Sequence, residues 1–281
     1  MNIALFGGTF DPIHSGHLRA AKAAASKFGL AQVLFVPSAH PPHKHANRLT
    51  PFPHRFAMVA LACARDPRFI PSLLEAPTRG SRPQYSVTTV ERVKRSLAAK
   101  DRLFFLIGVD AFLDLPQWKD HRRLLDMVDF IVVSRPGFDA RKIWSVLPTD
   151  RTREARGKGL VRAKAGIGRS RLETRDSELE ARAWPRLIRF RQTTLHILEG
   201  VHVPVASRDI REALRARCQI AGLVPPVVEK YILKEGLYGQ KRRADGGSGS
   251  LAHADEAGVS ESRHSAMRRA SAAGRRRAGR G

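Results

Sequence analysis

Short apolar runs alternate with helical patterns along most of this chain, and that alternation restricts its fold more than any other feature. Six runs bounded by turn-forming residues predict strands: Ile3–Phe6, Gln32–Pro37, Phe69–Leu74, Leu103–Ile107, Phe130–Val133 and Leu195–Leu198. Helical patterns lie between most of them: Leu18–Phe28, Arg55–Ala64, Val87–Leu97 and Leu124–Met127. Strands alternating with helices predict an α/β fold, a Rossmann-like doubly wound parallel sheet with helices on both faces.

Two polar segments interrupt or follow this pattern. Residues at about 150–194 are basic and almost without aromatic side chains, which predicts a solvated insertion. A last helix is predicted over Pro226–Lys234, with Gly236 as its C-cap. From residue 241 onward Gly, Ser, Ala and Arg dominate, and we expect a disordered basic tail over 241–281. One domain, interrupted by this insertion, is therefore expected over residues 1–240.

The net charge of +24 suggests a polyanionic partner. Residues 150–191 hold 13 Lys or Arg against 6 Asp or Glu, and residues 241–281 hold 10 against 4. Much of the excess is therefore peripheral, and the remainder is still basic enough for a polyanionic substrate. A basic nucleic-acid-binding protein is the alternative from a different class. From charge alone we expect the tail to bind nucleic acid non-specifically and salt-sensitively.

The cysteines and the apolar runs indicate the compartment. Cys63 and Cys218 lie in helix-like segments and are interpreted as packing thiols, which suits a reducing environment. Met1–Phe6 is too short for a signal peptide, and no apolar run approaches the length of a membrane span. We expect a cytoplasmic protein with no membrane partner.

The turn after the first predicted strand contains the most specific motif. Residues Gly7–His17 read Gly-Gly-Thr-Phe-Asp-Pro-Ile-His-Ser-Gly-His and lead into the first predicted helix. Backbone N–H groups at such a helix start attract phosphate, and the imidazoles of His14 and His17 can donate hydrogen bonds to phosphoryl oxygens. The spacing fits neither a dinucleotide fingerprint nor a P-loop, which disfavours a hydride-transfer enzyme and an ordinary ATPase. The structural alternative is that both histidines only cap the helix.

Two further segments follow predicted strands. Pro41–Lys44 follows the second strand and places a cation near the phosphate region, although a loop lysine is more often simply solvated. Gly108 and Asp110 follow the Leu103–Ile107 strand. A carboxylate there can accept both ribose hydroxyls while Gly108 lets the nucleoside approach; a helix N-cap role for Asp110 is an equal alternative.

Two other positions complete the candidate site. The indole of Trp118 can stack on an aromatic ring, although a tryptophan taken alone is more often part of the core. Ser207 and Arg211 open a predicted helix and form a second anion site. The alternative for this pair is an N-cap serine with a surface arginine.

These motifs together resemble a known family. His14-Ser15-Gly16-His17 resembles the signature of the His-x-Gly-His nucleotidyltransferase superfamily, and the wider set resembles bacterial nicotinate-nucleotide adenylyltransferases over residues 1–149 and about 195–239. The segments that carry this likeness are Gly7–His17, Pro41–Lys44, Tyr85–Thr89, Gly108–Trp118, Ser134–Gly137, Ser207–Arg211 and Val224–Tyr238.

The resemblance implies transfer of AMP from ATP to nicotinate mononucleotide, which forms deamido-NAD and pyrophosphate, with Mg²⁺ held mainly by the ATP phosphates and with no protein metal ligands. The implied catalytic residues are His14, His17, Lys44 and Arg211. The implied ATP-binding residues are Gly7, Gly8, Thr9, Phe10, His14, His17, Gly108, Asp110, Ser207 and Arg211. The implied residues for nicotinate mononucleotide are Lys44, Tyr85, Thr88, Thr89 and Trp118.

One motif departs from the family pattern. The family's late motif reads Ile-Ser-Ser-Thr-x-Ile-Arg, whereas this chain has Ala206 and Arg208 in place of a serine and the threonine. Guanidinium contacts to phosphate are therefore expected to replace some hydroxyl contacts. A phosphopantetheine adenylyltransferase and a nicotinamide-mononucleotide adenylyltransferase stay as alternatives, as does a scaffold role without catalysis. The first of these gives no reason for Pro41–Lys44 or for a stacking Trp118.

Overall fold

The computed structural model describes residues 1–39, 49–77, 84–134, 138, 141–148, 187–190, 192–201 and 204–239. Its strands are β1 Asn2–Gly8, β2 Leu30–Pro37, β3 Phe69–Pro71, β4 Arg102–Gly108, β5 Asp129–Val133, β6 Leu187–Arg189 and β7 Thr194–Leu198. Its α-helices are α1 Ser15–Phe28, α2 Phe52–Cys63, α3 Ser86–Ser96, α4 Val109–Leu113, α5 His121–Met127, α6 Arg141–Val146, α7 Ser207–Arg215 and α8 Pro226–Lys234. Among the described residues, short 3₁₀ turns lie at Leu115–Gln117 and Leu237–Gly239.

The strands form one sheet in the order β3-β2-β1-β4-β5-β7-β6. All neighbouring pairs are parallel except β6 and β7, which are antiparallel. The predicted doubly wound sheet is confirmed, and each of the six apolar runs overlaps a strand. The edge strand β6 falls inside the segment predicted as an insertion at about 150–194. Residues 149–186 and the tail from 240 lie outside the described residues.

Hydrophobic cores cover both faces of the sheet. Along β1, Ala4 and Phe6 belong to the core shared with α1, α2, α7 and α8. Ile3 and Leu5 belong to the core shared with α3, α4, α5 and α6. Successive side chains of a strand point to opposite faces, so an apolar run without alternation is what a strand covered on both sides requires.

The first crossover joins β1 to β2 through a helix that packs by small side chains. Ala20, Ala21, Ala24 and Ala25 are buried on the face of α1 that meets the sheet. The helix ends at Gly29, whose left-handed φ of 57° lets its N–H bond the Ala25 carbonyl before β2 begins. Alanine keeps the helix close to the sheet and favours helix formation.

The direction of strand addition reverses between β1 and β4. The strand β1 pairs with β2 on one side and with β4 on the other. In open parallel sheets the crevice at such a reversal, outside the carboxyl ends of the strands, is where ligands bind. Gly8 and Gly108 end these two strands, so both predicted glycine turns lie at this crevice. Within the described ranges, no helix combines the length and apolar character needed to cross a membrane.

Candidate active site

The two imidazoles of the first turn cap α1. His14 is the N-cap residue, and its Nδ1 accepts a hydrogen bond from the Gly16 N–H at 3.1 Å. Nδ1 of His17 accepts one from the His14 N–H at 3.3 Å. These bonds satisfy backbone groups that the first helical turn leaves without intrahelical partners. They explain why α1 begins at Ser15 rather than at the predicted Leu18.

The same bonds determine which ring atom can act on a ligand. A backbone N–H donates only to an unprotonated ring nitrogen, so each neutral imidazole carries its proton on Nε2. The rings of His14 and His17 stack with centroids 3.7 Å apart and an interplanar angle of 29°. Both residues line the same cavity. Capping and ligand binding therefore use different nitrogens and do not exclude each other.

A buried arginine, Arg55, donates hydrogen bonds to the backbone of this turn. Arg55 is 1% exposed, and its Nη1 donates to the carbonyls of Thr9 and Ser38, both at 2.8 Å. Its Nε donates to the Thr50 carbonyl at 2.8 Å. Burial lowers the pKa of the Arg55 guanidinium, and the nearby Asp11 carboxylate opposes that shift. Arg55 thus joins the first turn to the end of β2 and to the segment before α2.

Asp11 is the second buried anchor of the turn. Its carboxylate accepts hydrogen bonds from the Tyr238 hydroxyl at 2.7 Å and from the Thr50 N–H at 3.3 Å. Burial raises the pKa of the Tyr238 phenol, and the Asp11 charge adds to that effect. Tyr238 belongs to the last described 3₁₀ turn, so this hydrogen bond connects the last described residues to the loop that follows β1.

The helix α7 docks directly on the same turn. The Ser207 hydroxyl donates to the Pro12 carbonyl at 2.9 Å, and Arg211 Nη1 donates to the Asp11 carbonyl at 2.6 Å. The N-cap of α7 is Ala206, so the alternative of an N-cap Ser207 is wrong. A guanidinium has five N–H donors and this bond uses one, whereas the single hydroxyl proton of Ser207 is already donated.

Arg208, which departs from the family's late motif, pairs with a side chain of its own helix. Its Nε donates to the Glu212 carboxylate at 2.8 Å, one turn further along α7. The pairing with Glu212 raises the pKa of Arg208. Arg208 also lines the cavity. The guanidinium therefore lies at the cavity while its charge is partly balanced within the helix.

One cavity of about 620 Å³ brings most of the predicted site residues together. The predicted residues that line it are Gly7, Gly8, Thr9, His14, His17, Tyr85, Gly108, Asp110, Trp118, Ser207 and Arg211. Gly108 is the N-cap position of α4 and Asp110 lies in its first turn, so an N-cap role for Asp110 is wrong. The lining has two ends. At the first turn, His14 and His17 supply N–H donors that suit an anion, and we call this part the phosphate end. Tyr85 and Trp118 form the aromatic end.

Three predicted residues lie outside this lining. Phe10 is 2% exposed, and its ring packs against Gly8 and lies 5.0 Å from the His17 ring. Thr88 is exposed on α3, and Thr89 is buried and donates to Glu75 at 2.8 Å. Because α3 begins at Ser86, successive side chains rotate by roughly 100° and cannot all face one cavity. Lys44 and residues 135–137 lie outside the described residues.

The aromatic end contains side chains that the sequence motifs did not single out. Glu75 follows β3, is buried and lines the cavity; burial raises its pKa, while hydrogen bonds from Thr89 and Ser38 oppose that shift. Lys119 also lines the cavity, and its Nζ lies 4.6 Å from the centroid of the Tyr85 ring. The strand-end position of Glu75 was a usable signal, whereas Lys119 is recognised only in three dimensions.

Comparison with known sequences shows the family. The Cytidylyltransferase-like family model matches residues 5–163. A probable nicotinate-nucleotide adenylyltransferase of Desulfotalea psychrophila is 37% identical over 238 residues, which are 84% of this chain and 99% of that protein. The protein of the same description from Solibacter usitatus is 50% identical over 137 residues, or 49% of this chain and 71% of that one.

Solved structures agree with the fold. The Plasmodium falciparum nicotinic acid mononucleotide adenylyltransferase complexed with NaAD matches with a TM-score of 0.56 and 18% identity, covering 85% of this chain and 98% of that one. Its complex with APC gives a TM-score of 0.55 at 17% identity, with the same coverage. At such low identity the structural likeness supports the fold alone. On the sequence comparisons, the chain belongs to the Cytidylyltransferase-like family and, within it, to the nicotinate-nucleotide adenylyltransferases.

Proposed function

We propose that this protein transfers AMP from ATP to nicotinate mononucleotide, forming deamido-NAD and pyrophosphate. The observation that carries the proposal is that one cavity joins the imidazoles of His14 and His17 to the aromatic side chains Tyr85 and Trp118. A nucleotide-to-nucleotide transfer needs both reactants in one continuous space, with the phosphates meeting between two bases. The relatives' names agree with this reaction.

The chemistry is a direct displacement at the α-phosphorus. A phosphate oxygen of the mononucleotide forms the new P–O bond, the bond from the α-phosphorus to the oxygen that bridges to the β-phosphate breaks, and pyrophosphate leaves with that oxygen. Nε2–H groups of His14 and His17 donate to the α-phosphate region, and Arg211 neutralises the triphosphate. Positioning and electrostatic stabilisation account for the acceleration, and no covalent enzyme intermediate is required. Lys44 stays a predicted further cation.

The nucleoside of ATP is assigned to the crevice between β1 and β4. Asp110 supplies a carboxylate for the ribose hydroxyls, beside Gly108. A Cβ at Gly108 would meet nothing within 4 Å, so it would project into open cavity. A Cβ at Gly8 would instead lie 3.1 Å from the Phe10 ring. Gly108 therefore leaves space for the ligand, whereas a side chain at Gly8 would press against the Phe10 ring.

Mg²⁺ is assigned to the substrate rather than to a protein cage. In the part of the chain that the structure describes, no group of three or more His, Cys, Asp or Glu side chains is placed to hold a metal ion. Imidazole and guanidinium N–H donors at the phosphate end fit an anion and not a bare cation. Bound to the ATP phosphates, Mg²⁺ supplies charge neutralisation of the leaving pyrophosphate.

Pyrophosphate release by the purified chain tests the proposal. With ATP and Mg²⁺ we expect turnover that depends on nicotinate mononucleotide. Nicotinamide mononucleotide and phosphopantetheine, assayed alongside, separate the other adenylyltransferase activities. A folded sample that releases no pyrophosphate with nicotinate mononucleotide contradicts the proposal. The cytoplasmic location and the nucleic-acid affinity of the tail stay predictions for fractionation and salt-dependent binding measurements.

A further inference from the structure

A charged side chain lies buried just outside the lining of the phosphate end. Arg55 is not among the described residues that line the cavity, whereas Thr9 and Ser38, whose carbonyls accept from its Nη1, both line it. Arg55 therefore binds two lining residues from outside the cavity. Burial of a guanidinium is unfavourable unless its N–H groups are paired, and these bonds supply that pairing.

The bonds to Arg55 determine where two carbonyl dipoles point. A carbonyl oxygen carries a partial negative charge, and one directed into the cavity would repel the phosphates of ATP. The Thr9 and Ser38 oxygens instead each lie 2.8 Å from a guanidinium nitrogen. Their partial charges are therefore directed at a cation outside the lining rather than at the polyphosphate.

The same guanidinium connects the first turn to the segment before α2. Its Nε donates to the Thr50 carbonyl at 2.8 Å, and the Thr50 N–H donates to the Asp11 carboxylate at 3.3 Å. The turn is thus held at the Thr9 carbonyl and at the Asp11 side chain, both shortly before His14. A displacement of either point would move the backbone that leads to the imidazoles.

We propose that Arg55 is a positioning residue for the transfer of AMP. It directs the Thr9 and Ser38 carbonyl oxygens away from the polyphosphate, and it holds the first turn where the two imidazoles reach the α-phosphate. Because Arg55 is buried outside the lining, it acts through these groups and not by contact with a substrate. The inference rests on the proposed function, which assigns no role in the reaction to Arg55.

The arrangement requires an arginine rather than any buried cation. Nε and Nη1 of Arg55 are held apart in one plane and reach three carbonyls from different segments. A lysine ammonium keeps the charge, but all its N–H groups are on one nitrogen. One nitrogen cannot occupy the positions of both Nε and Nη1. Arg55→Lys therefore separates the charge from the arrangement of donors.

Steady-state kinetics of the folded full chain test the inference. Arg55→Lys should lower kcat by about tenfold to a hundredfold, because misplaced groups lose contacts to the transition state. The KM for nicotinate mononucleotide should change little, since the aromatic end is formed by other elements. Met58→Ala, at a buried position one turn later on α2, is the matched control. It should lower the midpoint of urea unfolding and leave kcat of the folded protein near the wild-type value.

Phe52→Leu is a milder second variant for the case that Arg55→Lys does not fold. The guanidinium carbon of Arg55 lies 5.5 Å from the centroid of the Phe52 ring. Loss of the ring should loosen the guanidinium without removing it. We expect the same pattern at smaller size, a severalfold lower kcat with little change in the KM for nicotinate mononucleotide.

Three results overturn the inference. If folded Arg55→Lys, or Phe52→Leu in its place, keeps the wild-type kcat, Arg55 only stabilises the fold and the proposed function stands. An equal fall in kcat for Met58→Ala leads to the same conclusion, because destabilisation alone then explains the loss. If the wild-type chain releases no pyrophosphate with nicotinate mononucleotide, the proposed function fails and this inference fails with it.

Discussion

At the residue scale, His14 and His17 divide two tasks between the two nitrogens of a ring. Nδ1 of each ring accepts a backbone N–H and helps to start α1, which leaves the proton on Nε2. A side chain that keeps an acceptor near the position of Nδ1 but has no N–H donor at the position of Nε2 should therefore separate stability from catalysis. Asparagine is such a side chain, because it is also a strong N-cap residue.

Substitutions at His14 test this division of roles. His14→Asn should leave the free energy of unfolding close to the wild-type value and lower kcat by about a hundredfold or more, because one donor to the α-phosphate region is lost. His14→Ala should lose similar activity and also about 1 kcal/mol of stability through loss of the cap. Urea unfolding and pyrophosphate release measure the two effects. A His14→Asn variant with near wild-type kcat would show that the ring acts only as a cap.

At the element scale, apolar runs predict most of the strands and helices, and the elements that they miss or misplace have local causes. Strands buried on both faces give uninterrupted runs, so β1, β4 and β5 were predictable. The edge strand β6 reads Leu-Ile-Arg within a basic segment and therefore has no apolar run to reveal it. The sequence pattern predicts the start of α1 three residues too late because its cap is a histidine, outside the usual Ser, Thr, Asp and Asn set.

The site was predictable where a motif fixes the backbone and not where only packing decides. The first turn, Asp110 and Arg211 line one cavity because strand ends and helix starts meet at the crevice. Thr88 and Thr89 lie outside the cavity lining because a resemblance over a five-residue stretch ignores the rotation of a helix. Arg55 and Lys119 depend on distant partners, Thr9 and Tyr85, that no spacing in the sequence reveals.

At the scale of the whole described domain, Asp11 connects the loop after β1 to two elements near the end of the described chain, α7 and the 3₁₀ turn Leu237–Gly239. Its carboxylate accepts from Tyr238, while its carbonyl accepts from Arg211. Loops that carry function are commonly positioned by a rigid scaffold. Here the scaffold for the first turn includes elements more than 190 residues away in sequence.

Tyr238→Phe tests this long-range connection. The variant removes the hydroxyl and leaves a carboxylate oxygen of buried Asp11 without that donor, which should lower the free energy of unfolding by about 1–3 kcal/mol. We also expect a fall in kcat, since the turn that presents His14 is less firmly held. Chemical denaturation and steady-state kinetics measure both, and Tyr231→Phe, at a hydroxyl that contacts His54 instead, is the comparison. Unchanged stability would show that the Asp11–Tyr238 bond does not hold the domain together.

The path of the α-phosphorus tests the account most directly. The chain is incubated with ATP labelled at the α-phosphate, with and without nicotinate mononucleotide, and the label is followed in the nucleotides and in denatured protein. The account predicts label in deamido-NAD when the acceptor is present, none attached to the protein, and a strongly reduced yield for His14→Asn. Label bound covalently to the protein, or absent from any dinucleotide, would contradict direct transfer of AMP in this cavity.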